Sequence, residues 1–125
     1  IWAEAAPPRL LAVLDWELAT LGDPLLDLGY LVCCHPARGE DLNPTQELSA
    51  ALLHEGIPRR EDLIARYATR TGRDVGGIGW YAAMAAWKLA VLYDYQNRIG
   101  RDAYYADPGQ ARRFIASAER FLERA

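Results

Sequence analysis

The distribution of apolar and polar residues along this chain predicts one short hairpin followed by helices. Leu10 to Leu14 is a continuous apolar run, which is typical of a buried strand, and it ends at Asp15. The residues before position 4 would be the end of the strand that pairs with it, and residues 4–9, which include two prolines, would form the turn. A lone hairpin is marginally stable in water, so we expect this one to pack on helices. The expected organisation is a single domain, with a hairpin over residues 1–15 and helices over residues 16–125.

Start and stop signals divide the rest of the chain into five predicted helices. Asp23-Pro24 and Asp107-Pro108 each place an N-cap residue before a proline, which is favoured at the first helical position. Thr45 is predicted to cap the second helix, and Gly72 and Gly100 are typical of the ends of the third and fourth. The predicted helices cover residues 24–35, 46–55, 58–71, 80–99 and 108–124.

The helix predicted over residues 80–99 contains the most apolar segment of the chain. Lys88 is the only charged residue between Ala82 and Tyr93, and a helix that is apolar all round is usually a buried one. Its bulkiest side chains follow helical spacing, and we expect them to form core rather than a cofactor site: Trp80, Met84, Trp87 and Val91. Trp87 lies in the middle of this helix, so burial is predicted for it in particular.

Composition and charge exclude several classes of protein. The chain is 51% hydrophobic and 25% charged, and its net charge of −3 comes without a basic block, so nucleic acid is not an expected partner. The apolar segment is too short to span a bilayer, and no membrane association is expected. Cys33 and Cys34 are adjacent and make no disulfide framework, so we expect buried, reduced thiols in a cytoplasmic protein. A metal or redox role for them is the less favoured alternative.

Acidic residues directly follow the apolar run. Asp15 would lie at the carboxyl end of a strand, where ligand-binding carboxylates are common, and Mg²⁺ typically binds one or two carboxylates besides water and phosphate oxygens. On spacing alone, a structural turn residue is the more common explanation for such an aspartate. Glu17 would either assist a second metal ion or a water molecule, or simply be exposed. Asp27 lies among leucines and would need hydrogen-bond donors, because an unpaired buried carboxylate is costly.

Residues 10–32 resemble the aminoglycoside phosphotransferase and choline kinase family, in particular its branch fused to acyl-CoA dehydrogenases. The resemblance is carried by Asp15-Trp16-Glu17 after an apolar strand, and by Gly22-Asp23-Pro24 followed by Asp27-Leu28. It implies a mainly α chain that forms the C-terminal-lobe part of a protein-kinase-like fold, helical with one short β-hairpin at the N-terminus. It also assigns Mg²⁺ to Asp15, and ATP or GTP to Asp15 and Glu17. Asp27 would brace the catalytic loop, and Trp16 would pack under the metal loop.

The activity implied by this resemblance is transfer of the γ-phosphoryl group of ATP or GTP to a hydroxyl group of a small molecule. The family's catalytic loop, His-x-Asp-x-x-x-x-Asn, has no match here, because both histidines, His35 and His54, lie downstream of the predicted strand. We therefore expect the catalytic base upstream of Ile1, in an N-terminal part of the same enzyme, and none within this chain. The chain alone should be inactive. The histidines show no ligand spacing and are expected at the surface or at helix ends.

The acceptor substrate would bind to the C-terminal helices, which form the acceptor pocket in the family. Asp94 and Arg98 are therefore candidate substrate contacts, although an ordinary exposed helix end explains them nearly as well. A different class of function is a non-catalytic helical interaction module, whose exposed apolar faces bind a partner and whose Asp15 has no chemical role. A homodimer is a further candidate assembly. The sequence upstream of Ile1 would separate the two classes, because the catalytic-loop motif there would support the enzyme.

Overall fold

The computed structural model describes residues 2–3, 7, 9–17 and 19–124, and most of these residues are helical. The mainly α fold predicted from the sequence is therefore confirmed, with one short hairpin before the helices. The helices of the described ranges are α1 (Leu25–Cys34), α2 (Pro44–Leu48), α3 (Arg60–Thr71), α4 (Ile78–Ile99) and α5 (Gly109–Leu122), with 3₁₀ turns at Ala50–Leu53 and Ala103–Tyr105. No helix in these ranges is long and apolar enough to cross a membrane. That residues 1–125 form a single domain stays a prediction.

The hairpin consists of two short antiparallel strands. Strand β1 (Trp2–Ala3) pairs with β2 (Arg9–Leu10), and Trp2 lies opposite Leu10 in the register. The predicted turn lies outside the described residues except for its Pro7 and Arg9. The prediction of a buried strand from Leu10 to Leu14 is wrong, because the ladder ends at Leu10 and the leucine and valine side chains of this run are 50–62% exposed. The helices pack on one another, and the run lies outside the core that they form.

The helix ends follow the capping signals, with one correction. The Asp23 carboxylate accepts a hydrogen bond from Leu25 N at 2.9 Å at the start of α1, and Gly72 and Gly100 end α3 and α4 in the left-handed conformation, as predicted. The prediction of Thr45 as a cap is wrong, because Asn43 caps α2. Asn43 forms a capping box and precedes a proline that fits the first helical position. The helix predicted over residues 46–55 is accordingly split into α2 and a 3₁₀ turn.

The core lies on α4, which packs most extensively against α5 and then against α1. The buried face of α4 consists of small residues and two larger ones: Ala82, Ala83, Ala85, Ala86, Leu89, Ala90 and Tyr93. Phe114 and Phe121 cover this face from α5, and Val32 and Cys33 cover it from α1. Cys33 is fully buried and its neighbour Cys34 is half-buried, and both are free thiols.

Three of the four side chains predicted as core on α4 face solvent instead, and the fourth, Met84, is partly buried. Trp80 and Trp87 are 52% and 56% exposed, and Val91 is 53% exposed. An apolar sequence on all sides of a helix does not specify which side is inward, and the alanine face is the one that lets neighbouring helices approach closely. The predicted burial of Trp87 is therefore wrong.

A buried polar cluster holds the C-terminal end of α1. Asn43 Nδ2 donates to Cys33 O at 3.1 Å, and Gln46 Nε2 donates to the same carbonyl at 3.0 Å. Asn43 Nδ2 also lies 3.4 Å from Ser117 Oγ on α5. These bonds satisfy a helix-end carbonyl that has no partner within its own helix. The end of α1 is thus tied both to α2 and to α5.

Candidate functional site

The loop between β2 and α1, residues 11–24, carries the predicted metal ligand. Asp15 has φ 70°, and it is the one non-glycine residue of the described ranges with a positive φ. The left-handed region is sparsely populated by residues with a Cβ and costs free energy, so it persists where the surrounding structure imposes it. Such conformations are concentrated at ligand sites, and the Asp15 side chain is exposed.

The turn around Asp15 is closed by its neighbour. Trp16 Nε1 donates to Val13 O at 2.8 Å, across Asp15, and Ala19 N donates to Trp16 O at 2.9 Å. The Trp16 side chain is 65% exposed, so the expectation that it packs under the loop is wrong for the described residues. Its role in this structure is to bridge the turn from the solvent side.

The carboxylates of Asp15 and Glu17 are free of partners. Both residues are exposed, and neither makes a hydrogen bond or an ion pair within the part of the chain that the structure describes. In the same part, no group of three or more His, Cys, Asp or Glu side chains could hold a metal ion by itself. One or two free carboxylates nevertheless fit Mg²⁺, which completes its coordination with water and phosphate oxygens.

Asp27 lies one turn into α1 and is exposed. Its predicted apolar surroundings are wrong, since the buried positions of this helix are on another side, at Leu28, Gly29, Val32 and Cys33. The Asp27 carboxylate makes no hydrogen bond or ion pair within the described ranges. A bracing role toward a catalytic loop stays a prediction.

Tyr81 is a site residue that the sequence did not reveal. Its hydroxyl donates a hydrogen bond of 2.6 Å to Asp23 Oδ2, which joins α4 to the end of the Asp15 loop. This bond lowers the pKa of the Asp23 carboxyl and raises the pKa of the Tyr81 hydroxyl. The helices nearly touch beside it, because a Cβ added to Gly29 would lie 2.5 Å from Tyr81 Cβ. The sequence signal for this close approach of α1 and α4 was a glycine inside a mostly apolar helix.

The two predicted acceptor contacts form an ion pair with each other. Arg98 Nε lies 2.8 Å from Asp94 Oδ2, and both side chains are at least half exposed. Asp94 is thirteen residues beyond Tyr81 on the same helix, which corresponds to about 20 Å along the axis. This ion pair therefore lies about 20 Å along α4 from the Tyr81–Asp23 contact, and its contact with a substrate stays a prediction.

A cleft lies at the C-terminal end of α1, at the opposite end of this helix from the Asp15 loop. His35, which is buried at the C-cap of α1, and the exposed His54 line a cleft of about 550 Å³. The expectation that both histidines lie at helix ends is confirmed. The charged residues of the cleft lining balance in number: Arg38, Arg59, Arg60, Glu40, Glu55 and Glu61. The length of α1 places this cleft about 15 Å from the residues that start the helix.

Comparison with known proteins gives a consistent set of matches. A family model described as "Phosphotransferase enzyme family" (APH) matches residues 1–87. Acyl-CoA dehydrogenase family member 11 of Rattus norvegicus is 37% identical over 86 residues, which are 66% of this chain and 11% of that protein. Acyl-CoA dehydrogenase family member 10 of Mus musculus is 31% identical over 87 residues, which are 67% of this chain and 8% of that protein. Probable acyl-CoA dehydrogenase IBR3 of Arabidopsis thaliana is 26% identical over 90 residues, which are 68% of this chain and 11% of that protein.

The matched segment is a small part of each of these relatives, since the chain spans 11% of their length or less. No solved structure matches the chain. The matched residues 1–87 include the whole Asp15 loop, α1 and the Tyr81 contact, and they end within α4.

Proposed function

The chain belongs to the phosphotransferase enzyme family, and from that premise we propose that it is part of an enzyme that transfers the γ-phosphoryl group of ATP or GTP to a hydroxyl group of a small molecule. The observation that carries the proposal is Asp15. It lies within the matched residues, has a strained left-handed backbone and presents a free, exposed carboxylate. A positive φ and an exposed carboxylate are compatible with a ligand-binding aspartate, and the family match favours that role over a turn residue.

In the proposed mechanism, the Asp15 carboxylate would hold Mg²⁺, and Glu17 would assist through a water molecule or a second ion. Bound Mg²⁺ supplies positive charge to the nucleotide phosphates and so stabilises the transition state of phosphoryl transfer. The contribution of this chain is to hold the Asp15 carboxylate at a fixed place and orientation. The strained turn and its Trp16 bridge serve that purpose, because a preformed carboxylate needs no reorganisation when the nucleotide arrives.

The remaining parts of the active site are proposed to come from an N-terminal part of the same protein. The family's catalytic loop has no match in this chain, and the relatives are much longer than the segment aligned here. That part would supply the base that accepts the proton of the attacking hydroxyl. The exposed, unpaired carboxylate of Asp27 would then receive hydrogen bonds from the catalytic loop. This chain alone would be inactive.

The acceptor is proposed to be a small hydroxyl compound that binds against the C-terminal helices. Asp94 and Arg98 stay the candidate contacts, and a charged group on the acceptor would have to compete with their ion pair. The relatives are named as acyl-CoA dehydrogenases, which favours a hydroxyacyl compound over a sugar as the acceptor.

A non-catalytic helical interaction module is the second candidate function, and one observation favours it. Exposed apolar side chains on α4 line a groove of about 370 Å³: Trp87, Val91, Leu92 and Tyr95, with the stem of Lys88. Groups of this kind mark binding surfaces for other proteins, including a second copy of the chain. In this function the carboxylate of Asp15 would have no effect on any activity.

The test is Asp15→Asn in the full-length protein that carries this chain. The substitution keeps the size of the side chain and removes its charge, so turnover should fall by about 100-fold or more, on the scale of losing one electrostatic stabiliser. Turnover is measured against Mg²⁺ concentration. Asp102→Asn is the matched control, because Asp102 is exposed, caps a 3₁₀ turn, and asparagine caps equally well. Normal turnover and a normal Mg²⁺ dependence in Asp15→Asn would refute the proposed site.

A further inference from the structure

We infer that Tyr81 is a positioning residue for the Asp15 loop, acting through Asp23 to hold the metal-binding carboxylate at a fixed place relative to α4. The inference rests on the proposed function, because it concerns the same Mg²⁺ site. Tyr81 lies 58 positions from Asp23 along the chain, and its hydroxyl is the atom that makes the connection.

Asp23 is bonded to two helices at once. Its Oδ2 accepts the 2.6 Å hydrogen bond from Tyr81 on α4. Its Oδ1 accepts from Leu25 N at 2.9 Å, and its carbonyl oxygen accepts from Leu26 N at 3.0 Å, both on α1. A hydrogen bond to a carboxylate is among the stronger kinds, and here it is also short. Asp23, near the end of the loop, is therefore hydrogen-bonded to both α1 and α4.

Tyr81 itself projects from a rigid point. Its Cβ and backbone lie at the closest approach of α1 and α4, where there is no room for a side chain on Gly29. The Tyr81 ring also contacts the Trp80 ring edge-on, with 5.1 Å between the ring centroids. Because its base cannot move without separating the helices, the Tyr81 hydroxyl can fix the position of Asp23 instead of merely following it.

The Asp15 loop needs such an anchor. It starts at the short β2 strand and has exposed side chains along much of its length, including the fully exposed Leu21 next to the unobstructed Gly22. A left-handed Asp15 costs free energy, and holding the ends of its loop favours that conformation over others that the loop could sample. The Asp23 junction holds the C-terminal end, and the Tyr81 bond determines where that end lies relative to the rest of the fold.

Removal of the Tyr81 hydroxyl should therefore affect binding of the metal more than the chemical step. In Tyr81→Phe, Asp23 still caps α1 but no longer contacts α4, so the loop samples more conformations before Mg²⁺ and nucleotide select the productive one. The Mg²⁺ concentration for half-maximal turnover should rise by about 2- to 10-fold, the range that corresponds to the loss of one hydrogen bond. Turnover at saturating Mg²⁺ should change little.

The experiment measures, for a set of variants of the full-length protein, turnover against Mg²⁺ concentration and, without acceptor, the rise in melting temperature on adding Mg²⁺ and nucleotide, which should be smaller in Tyr81→Phe. Tyr67→Phe is the matched control, because this partly buried tyrosine lies on α3 and its hydroxyl has no described hydrogen bond. Asp23→Ser should reproduce the effect of Tyr81→Phe, since serine still caps the helix but is too short to reach Tyr81. The double variant should be no worse than either single variant, because both remove the same connection.

The outcomes separate this inference from the proposed function. If Asp15→Asn abolishes turnover while Tyr81→Phe and Asp23→Ser have the parent's Mg²⁺ dependence, the positioning role is refuted and the proposed site stands. A loss of maximal turnover and melting temperature in Tyr81→Phe, with an unchanged Mg²⁺ dependence, would also refute positioning and leave a structural role. If Asp15→Asn has no effect, the proposed function fails by itself.

Discussion

Gly29 determines how closely α1 can approach α4. A Cβ at this position would lie 2.5 Å from Tyr81 Cβ and 2.7 Å from the Tyr81 carbonyl carbon, so a larger residue cannot be relieved by a side-chain rotation. The effect of Gly29 extends beyond its own helix, because the same contact supports the Tyr81 hydroxyl that reaches Asp23. One missing methyl group thus sets the geometry of the loop's anchor.

The variant Gly29→Ala should destabilise the fold by about 1–3 kcal/mol, the usual cost of overpacking a tight contact. The free energy of unfolding is measured by urea denaturation of the parent and the variant. Gly22→Ala is the matched control, since nothing lies within 4 Å of a Cβ there and its φ is not positive, so its stability should match or slightly exceed that of the parent. Equal stability of both variants would show that the helices separate at no cost.

Single-residue predictions from the sequence succeeded where the signal is local. The Asp23-Pro24 pair indicated the start of α1, and Asp23 does accept the backbone hydrogen bond there. The Tyr81 contact could not be predicted, because a partner 58 positions away leaves no local pattern. The burial expected for Asp27 failed for a related reason: its sequence neighbours are leucines, but a helix turns successive side chains to different sides.

At the scale of elements, α4 was predicted in extent but not in orientation. The structure starts this helix at Ile78 and ends it at Gly100, close to the predicted limits. Its buried face is the alanine-rich one, while the tryptophans that the spacing favoured lie outside. Between Ala82 and Tyr93 neither face carries charge apart from Lys88, so the shapes of α1 and α5 decide between them. That information is not present in the sequence of α4.

Truncation of a buried aromatic side chain that packs on α4 should cost more stability than truncation of an exposed one on α4. Phe114 is fully buried against α4, so Phe114→Ala should cost about 3–5 kcal/mol of unfolding free energy. Trp87 is 56% exposed, and Trp87→Ala should cost only about 1–2 kcal/mol, because less apolar area leaves contact with the protein. The two variants are compared in one denaturation series. A larger loss of unfolding free energy in Trp87→Ala than in Phe114→Ala would contradict the orientation of α4 in this structure.

At the scale of the whole molecule, Glu40 links the loop after α1 to two distant helices. Its carboxylate accepts from Arg60 Nη2 of α3 at 2.8 Å and from Arg124, which follows α5. Arg60 is itself buried and its guanidinium lies 5.5 Å from the centre of the Phe121 ring. A carboxylate that accepts from two guanidinium groups is strongly favoured in its ionised form.

The acid stability of the fold should therefore depend on Glu40. Burial favours the protonated carboxyl, but the hydrogen bonds from Arg124 and Arg60 outweigh it and hold the pKa of Glu40 below its usual value. The stabilisation is fully present above the unfolded pKa of about 4.3 and is lost as the pH falls through the lower folded pKa. Glu40→Gln should reduce stability at neutral pH, and its difference from the parent should shrink on acidification below that range.

Thermal melts of the parent and of Glu40→Gln at a series of pH values check this expectation. Glu55→Gln serves as the control, because Glu55 is exposed and makes no described ion pair. If the gap between parent and Glu40→Gln stayed constant down to about pH 2, well below the unfolded pKa, the ionised carboxylate would not be the stabilising species.

The two adjacent cysteines should react with an alkylating reagent at very different rates. The Cys34 thiol is half-buried, and its hydrogen bond with the Cys33 thiol, together with those from Thr45 and Tyr30, lowers the pKa of Cys34 to about 7 despite burial. Its thiolate should react with iodoacetamide within the first minutes at neutral pH. Cys33 has no exposed surface and its pKa is raised, so it can be alkylated only when α1 leaves the core.

Mass spectrometry of the intact protein should accordingly show one adduct that forms quickly and a second that forms slowly, at a rate set by the fraction of molecules in which α1 is open. Cys34→Ser should retain only the slow phase, and Gly29→Ala should accelerate it because that variant loosens the contact between α1 and α4. Two adducts that form at equal rates in the folded parent would contradict the burial of Cys33. The rate of the second label thus reports what fraction of the molecules has undocked the helix that begins at the Asp15 loop.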